Sequence, residues 1–406
     1  MTSLQSVDSY RDEIIAALTP LPPEDIPVSD ADGTVLAADV SAAWPLPGFD
    51  NSAMDGYAVI AADVASASKD NPVRLPVAAE VPAGDTTRHT LTPGHSIKIM
   101  TGALLPDGAD AVIPVEWTDG GAETVTITDS AEKGNAVRRA GDDAQPGDLL
   151  LRAGTRLGPA QIGVLAAAGH GAVLARRRPR VTVISTGNEL SEPGSPLVPG
   201  RIWDSNSYML AAAARHAGCE VIRHTVVRDD PAAVLAAIEL AAATADALIT
   251  SGGVSMGGEH DVVKAALTVL GSVKFRKVAM QPGMPQGFGL LGSPPRVPIF
   301  TLPGNPVSAL VSFRVFVAPA LRAIQDLPAE LIPIARPKLS RPVTSPAGRR
   351  SFLRGVHDRQ AAVVEPLTGQ GSHQIASAAR ANVLIIVPEQ DRSLPAGAIV
   401  DVLDLP

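Results

Sequence analysis

Between Val181 and about Ala323 the sequence repeats one unit: a short apolar run, a loop of small residues, then a helix-length segment. Val181–Ser185, Glu220–Val227, Ala247–Thr250 and Val297–Thr301 read as strands; Ser207–His216, Pro231–Ala243, Asp261–Leu270 and Val307–Ala323 read as helices. The segment at Pro231 opens on proline, whose fixed φ and missing N–H suit a first helical turn. Strands separated by helices need crossover connections, and these produce a mainly parallel sheet with helices on both faces. The region is therefore expected to be a doubly wound α/β domain.

The rest of the chain has another texture. Residues 3–19 place Leu4, Val7, Ile14, Ile15 and Leu18 near one helical face, and Pro20, Pro22 and Pro23 end that helix. From Pro27 to about Leu151 come short β-like runs separated by Gly, Pro and Asp turns. Residues 158–170 form a short helical pattern, the basic run Arg176–Arg180 reads as a solvated linker, and Pro333–Pro406 returns to strands and turns. At about 150 residues per domain, 406 residues make two or three domains or several smaller ones. Hydrophobic residues at 45% exclude a disordered chain, and aromatics at 3% leave the cores to Ala, Val, Leu and Ile.

In an open α/β sheet, ligands bind outside the carboxyl ends of the strands. Three loops fall there: Thr186-Gly187-Asn188-Glu189, Ser251-Gly252-Gly253-Val254-Ser255 and Leu302-Pro303-Gly304-Asn305-Pro306. Small residues let backbone N–H groups approach a phosphate, and a following helix adds favourable partial charge. One such loop is an ordinary turn; three at successive strand ends point to a phosphorylated ligand. Neither Gly-x-Gly-x-x-Gly nor a P-loop sequence occurs, which disfavours common nucleotide sites. Glu189, Asp204, Asp229 and Asp261 accompany the loops, and carboxylates beside phosphate need a bridging hard cation such as Mg²⁺. Asp230 before Pro231 reads as a helix cap, whereas Glu189 and Asp204 stand at no evident helix start and are expected to serve the ligand.

A net charge of −8 argues against a nucleic-acid coat. The single cysteine, Cys219, excludes an internal disulfide and reads as a buried apolar thiol. The start of the chain carries no secretory pattern, and the apolar stretch from Ala232 to Thr250 holds Glu239 and Asp246, short of a membrane span. A cytoplasmic protein without a membrane partner is expected.

Taken together, the motifs resemble a known family. Pro47-Gly48-Phe49-Asp50-Asn51-Ser52-Ala53-Met54-Asp55-Gly56-Tyr57-Ala58-Val59 is similar to a signature of the molybdopterin molybdenumtransferases, the MoeA proteins and the gephyrin E domain. The similarity continues through Met100–Ala103, Arg139–Asp143, Ser185–Leu190, Asp204–Asn206, the Ser251 and Leu302 loops, and Gly369–His373.

The resemblance implies a small helix-containing domain split between residues 1–46 and 147–178, a β-rich domain over 47–146, the α/β molybdopterin-binding domain over 179–326, and a C-terminal β domain over 327–406. It implies a homodimer in which the β-rich domain of one subunit faces the α/β domain of the other. The implied reaction inserts molybdate into adenylylated molybdopterin with release of AMP and a requirement for Mg²⁺. A molybdopterin adenylyltransferase, a candidate partner, is also one alternative function, since its single domain resembles residues 181–323; a non-catalytic molybdopterin-binding scaffold is another. Carried over position by position, the catalytic set is Asp55, Thr101, Asp143, Glu189, Asp229, Asp261 and Lys277, with Glu189, Asp204 and Asp229 on the metal. The ligand-binding set is Thr186, Gly187, Ser251, Gly252, Gly253, Ser255, Pro303, Gly304 and Asn305, to which the resemblance adds Ser205, Asn206 and Ser372. The chain departs from the family at Gln281-Pro282-Gly283-Met284-Pro285, where Lys-Pro-Gly-Lys-Pro is common. That leaves Lys277 as the cation beside the phosphates, with Lys274 or Arg276 as further ones.

Overall fold

The computed structural model describes residues 4–405 apart from 225, 229, 253–265 and 268–272. Its contacts form two units, one made of Met1–Glu24, Gly33–Val35 and Arg176–Pro406, the other of Asp25–Asp32 and Leu36–Ala175.

In the first unit, a six-stranded sheet runs in the order Glu220–Arg223, Arg180–Ser185, Ala247–Ser251, Val297–Leu302, Pro285–Leu291 and Val273–Lys277. The first four strands are parallel, as the repeated pattern predicts, and the last two are antiparallel. Alternation along each strand sends Val183, Ile249 and Phe300 to one face and Ile184, Leu248 and Ile299 to the other. Helices Val7–Ala16 and Asn206–His216 cover the first face, and Pro231–Ala242 the second. Two windings result.

The segment Pro306–Ile324 is also on the first face, where Tyr10 meets Phe316 edge-on at 5.0 Å. It is long and apolar enough to cross a membrane, yet 72% of its apolar window is buried inside the protein, as in a core helix. Its middle, Phe313–Val317, is a π turn in which the N–H of Ala318 reaches the carbonyl of Phe313. Pro319 follows; it has no N–H for the Val315 carbonyl, and a widened turn absorbs that missing bond.

The C-terminal strands make a second sheet in the order Lys338–Leu339, Val363–Pro366, Arg350–Asp358, Val383–Val387 and Val402–Asp404. The two-residue strand Met280–Gln281 pairs in parallel with Arg350–Asp358, so a segment from the α/β region completes this sheet.

The second unit contains a five-stranded sheet, Ala111–Pro114, Gly56–Val59, Ser96–Ile99, Val73–Val81 and Thr124–Ile127, with aliphatic clusters on both faces. Gly56 is required there: a Cβ would overlap the Ile113 carbonyl oxygen across the strand pair. A separate core of Val28, Leu36, Leu157 and Leu165 packs around helix Pro159–Ala167.

The outer strand that begins at Glu220 is shorter than the sequence pattern suggests. Its ladder stops at Arg223, and Val227 rejoins only through an isolated bridge to Thr186. The helix expected over Asp261–Leu270 lies, except for Leu267 and Ala266, outside the described residues.

Candidate functional site

Three strand ends meet at the carboxyl edge of the α/β sheet. The N–H of Thr186 donates to the carbonyl of Ser251 at 3.4 Å, and the N–H of Gly252 to the carbonyl of Leu302 at 3.2 Å. Gly252 has φ +96°, and a Cβ there would stand 3.0 Å from the Thr186 carbonyl oxygen. Only glycine meets both conditions.

The turn Asp204-Ser205-Asn206 ties these ends together. Asn206 Nδ2 donates to Ser251 Oγ at 2.8 Å and to the Gly304 carbonyl at 2.7 Å. Among the described residues its Oδ1 is buried and without a partner, as is Thr186 Oγ1. Thr250 and Thr301, neighbours in the parallel ladder one residue before their strand ends, also carry buried hydroxyls that have no partner among the described residues. Native interiors leave few such atoms unpaired, and a cluster of them at a strand edge fits a polar ligand. At the third loop, Asn305 donates from Nδ2 to Ser372 Oγ at 3.0 Å, and the Ser372 carbonyl accepts from the N–H of Val307 at 3.0 Å. Thus Thr186, Gly187, Asn206, Ser251, Gly252, Pro303, Gly304, Asn305 and Ser372 come together, and Ser205 is exposed beside Asn206. Gly253, Ser255, Asp229 and Asp261 lie outside the described residues.

Asp204 corrects its expectation. It is 1% exposed, and its carboxylate takes the Ser207 N–H at 3.0 Å, the Ser207 hydroxyl at 2.5 Å and the Ser185 hydroxyl at 3.1 Å. It caps helix Asn206–His216, a job that Ser205 at the N-cap position leaves undone. Both oxygens are thus engaged in holding the start of this helix. Glu189 is exposed, and among the described residues no three His, Cys, Asp or Glu side chains form a metal-binding group.

Lys277 ends the strand Val273–Lys277 opposite Pro285, and Gln286 in turn adjoins the Leu302 end of its neighbour. The register thus puts Lys277 on the same edge of the sheet as the Leu302 loop, two strands over, roughly 10 Å at ordinary strand spacing. Lys274 instead pairs with Glu13 at 3.9 Å. Gln281 Oε1 accepts from Arg349 Nη1 at 3.5 Å.

In the β-rich unit, Asp55 and Thr101 are brought together. Asp55 Oδ1 accepts from the Thr101 N–H at 2.7 Å and from its hydroxyl at 2.8 Å. The backbone bond, then the hydroxyl bond, hold the Asp55 carboxyl below the usual carboxylate range, so this exposed group is ionised at neutral pH. Asp143 is exposed on a neighbouring stretch of the signature, its N–H given to the Leu46 carbonyl. Close to it in sequence, Arg139 pairs with Asp50 at 2.5 Å beside a cavity of about 320 Å³.

Sequence reasoning missed Arg354. Its side chain is fully buried, gives Nη2 to the Gly369 carbonyl at 2.7 Å and both terminal nitrogens to the Gly371 carbonyl at 3.2 Å, and leaves Nε with no partner among the described residues. Burial lowers its pKa from the ordinary arginine value. The guanidinium fixes the loop that presents Ser372. Nothing in the strand sequence Arg350–Asp358 signals that one of its arginines points inward.

Comparison with known proteins covers the whole chain. The family described as MoeA N-terminal region (domain I and II) matches residues 5–169, the probable molybdopterin binding domain matches 182–323, and the MoeA C-terminal region (domain IV) matches 336–405. Molybdopterin molybdenumtransferase 2 of Mycobacterium tuberculosis is 45% identical across 99% of this chain and 100% of its own length. Molybdopterin molybdenumtransferase 1 of the same organism is 39% identical across 98% of each. A crystal structure of a molybdopterin biosynthesis MoeA protein from Pyrococcus horikoshii matches with a TM-score of 0.76 at 34% identity, over 98% of both chains.

Proposed function

The chain belongs to the molybdopterin molybdenumtransferase family, the MoeA proteins, and on that premise we propose that its strand-end loops seat adenylylated molybdopterin while Asp55 and Thr101 serve the metal-insertion step. The protein is a transferase of molybdenum cofactor biosynthesis, which inserts molybdate into molybdopterin. The observation that carries the assignment of the seat is the convergence of the Ser251 and Gly304 loops on Asn206, whose buried Oδ1 has no partner among the described residues.

In this reading, N–H groups of the Gly304 loop face the phosphate oxygens, and Asn206 Oδ1 accepts from a ligand donor. Lys277 neutralises charge that develops on the phosphoanhydride as AMP leaves. Mg²⁺ binds through one or two carboxylates plus substrate phosphates and keeps several waters. The exposed carboxylate of Glu189 fits that habit, whereas Asp204 is buried and bonded to two serine hydroxyls. When bound, the ion would offset phosphate charge. Asp55, already ionised, accepts a proton or holds a cationic group at the molybdate end. We assign Asp143 to the same end, propose a homodimer as the working form, and place it in the cytoplasm with a molybdopterin adenylyltransferase as supplier of substrate.

Incubation with adenylylated molybdopterin, Mg²⁺ and molybdate tests the reading. Stoichiometric AMP release with cofactor formation supports it, and binding without turnover supports a scaffold instead. AMP release that persists undiminished after thorough chelation removes the metal from the proposal.

A further inference from the structure

The bonds that hold the Asp204–Asn206 turn continue away from the ligand seat. Arg223, the last residue of the outer strand, gives Nη1 and Nη2 to the two carboxylate oxygens of Glu192 at 2.9 and 3.1 Å. Its guanidinium carbon lies 4.1 Å from the centre of the Tyr208 ring. The Tyr208 hydroxyl donates to Glu192 at 2.9 Å and accepts from Arg223 at 3.1 Å. Arg223 also donates to Ser207 Oγ at 3.3 Å, and that hydroxyl is the one that donates to Asp204. Each bond in this chain runs from a donor hydrogen to an acceptor oxygen, and Glu192 Oε2 accepts two of them, one from Tyr208 and one from Arg223.

Three separate elements are clamped here: the loop after Leu190–Ser191, the first turn of helix Asn206–His216, and the outer strand. The same first turn carries Asp204 towards Ser185 and Asn206 towards Ser251 and Gly304. We propose that Arg223 is a positioning residue for substrate binding, holding that turn so that Asn206 keeps the strand-end loops at a fixed spacing. The inference rests on the reading of those loops as the substrate seat. Arginine suits the role because a planar fork engages a carboxylate through two bonds while its face lies on an aromatic ring; lysine does only part of this. A partly exposed ion pair adds little to global stability, so the clamp acts on local geometry.

The test is equilibrium titration of the full-length protein with adenylylated molybdopterin, alongside turnover at saturating substrate and a thermal melt. Arg223→Met is expected to weaken binding on the order of tenfold, with turnover and melting midpoint close to the parent. Arg223→Lys should recover part of the affinity, and Glu192→Gln should repeat the defect more mildly, which covers a poorly folding Arg223→Met. Unchanged affinity in both Arg223→Met and Glu192→Gln overturns the inference, as does a loss that merely follows a lowered melting midpoint and is equal in the lysine variant. Asn206→Ala separates the two readings. If it weakens binding and the Arg223 variants do not, only the clamp fails; if it too leaves binding unchanged, the seat itself is wrong.

Discussion

The strand-end loops of the α/β unit and the Asp55–Thr101 pair of the β-rich unit use similar bonds for opposite ends. At the loops, Asn206 gives its amide hydrogens to groups from two other strand ends and keeps a buried oxygen with no partner among the described residues. At the pair, Asp55 takes both Thr101 bonds on Oδ1 and stays exposed and charged. If these loops are the proposed ligand seat, damage to them should appear as lost affinity. If Asp55 serves the reaction as proposed, its loss should appear as lost rate, since an exposed charged turn contributes little to the fold.

The largest effect should come from Asp55→Ala, with turnover down by roughly 10²- to 10⁴-fold, the range for removing a positioned acid or base. Pterin affinity and melting midpoint should stay near the parent, measured by ligand titration and thermal denaturation; joint loss of rate and affinity breaks the comparison. Mixing Asp55→Ala with Glu189→Ala subunits should restore part of the activity once subunit exchange is demonstrated. Exchanged heterodimers as inactive as either parent refute a shared dimer site.

Asp204→Ala should instead cost stability. It strands the Ser185 and Ser207 hydroxyls and removes a helix cap, for about 1–3 kcal/mol in urea denaturation, with affinity falling alongside. A wild-type urea midpoint would contradict the capping role.

A smaller effect concerns pH. Asp55 has a folded pKa below its unfolded one, so the Thr101 bonds stabilise the fold above the ordinary carboxylate range, and that contribution is lost as pH falls through the lowered value. Thr101→Val removes the hydroxyl bond and keeps the backbone one, so the Asp55 carboxyl should titrate at higher pH in ¹³C NMR. No upward movement would mean that the hydroxyl does not bond Asp55 in solution.

Smallest is the pair of missing lysines. Met284→Lys should tighten ligand binding modestly at low salt, and added salt should erode the gain. Gln281→Lys should gain less, because the new ammonium meets the Arg349 guanidinium beside that position. Equal gains would show that Arg349 does not face residue 281.

Periodicity made the parallel half of the sheet legible, because apolar runs ended each time in small-residue loops. It hid the antiparallel half. Pro285–Leu291 carries two glycines, which depress any strand reading, yet Gly287 is needed there: the Phe275 ring and Thr301 leave no room for a side chain. The loops at the strand ends were readable by their small-residue composition. Asp204 was misread because the capping carboxylate stands one residue before the N-cap position and reaches forward to Ser207. Arg354 and Arg223 were invisible for another reason: a charged residue in a strand gives no sign of whether it faces solvent, a carbonyl-lined pocket or an aromatic ring. The signature around Asp55 told which residues to watch, and only coordinates showed that Thr101 holds that carboxylate.

The strand Met280–Gln281 belongs by sequence to the α/β region and by hydrogen bonds to the C-terminal sheet. Recombination between related genes therefore has few neutral crossover points here. A chimera joined near residue 327 inherits the two faces of this short ladder from different parents, and a mismatch there leaves strand Arg350–Asp358 with unpaired backbone groups along part of one side. Productive shuffling of C-terminal modules would have to carry the Met280–Gln281 segment along with the donor sheet, so inheritance of the two regions is expected to be linked even though each has its own sheet.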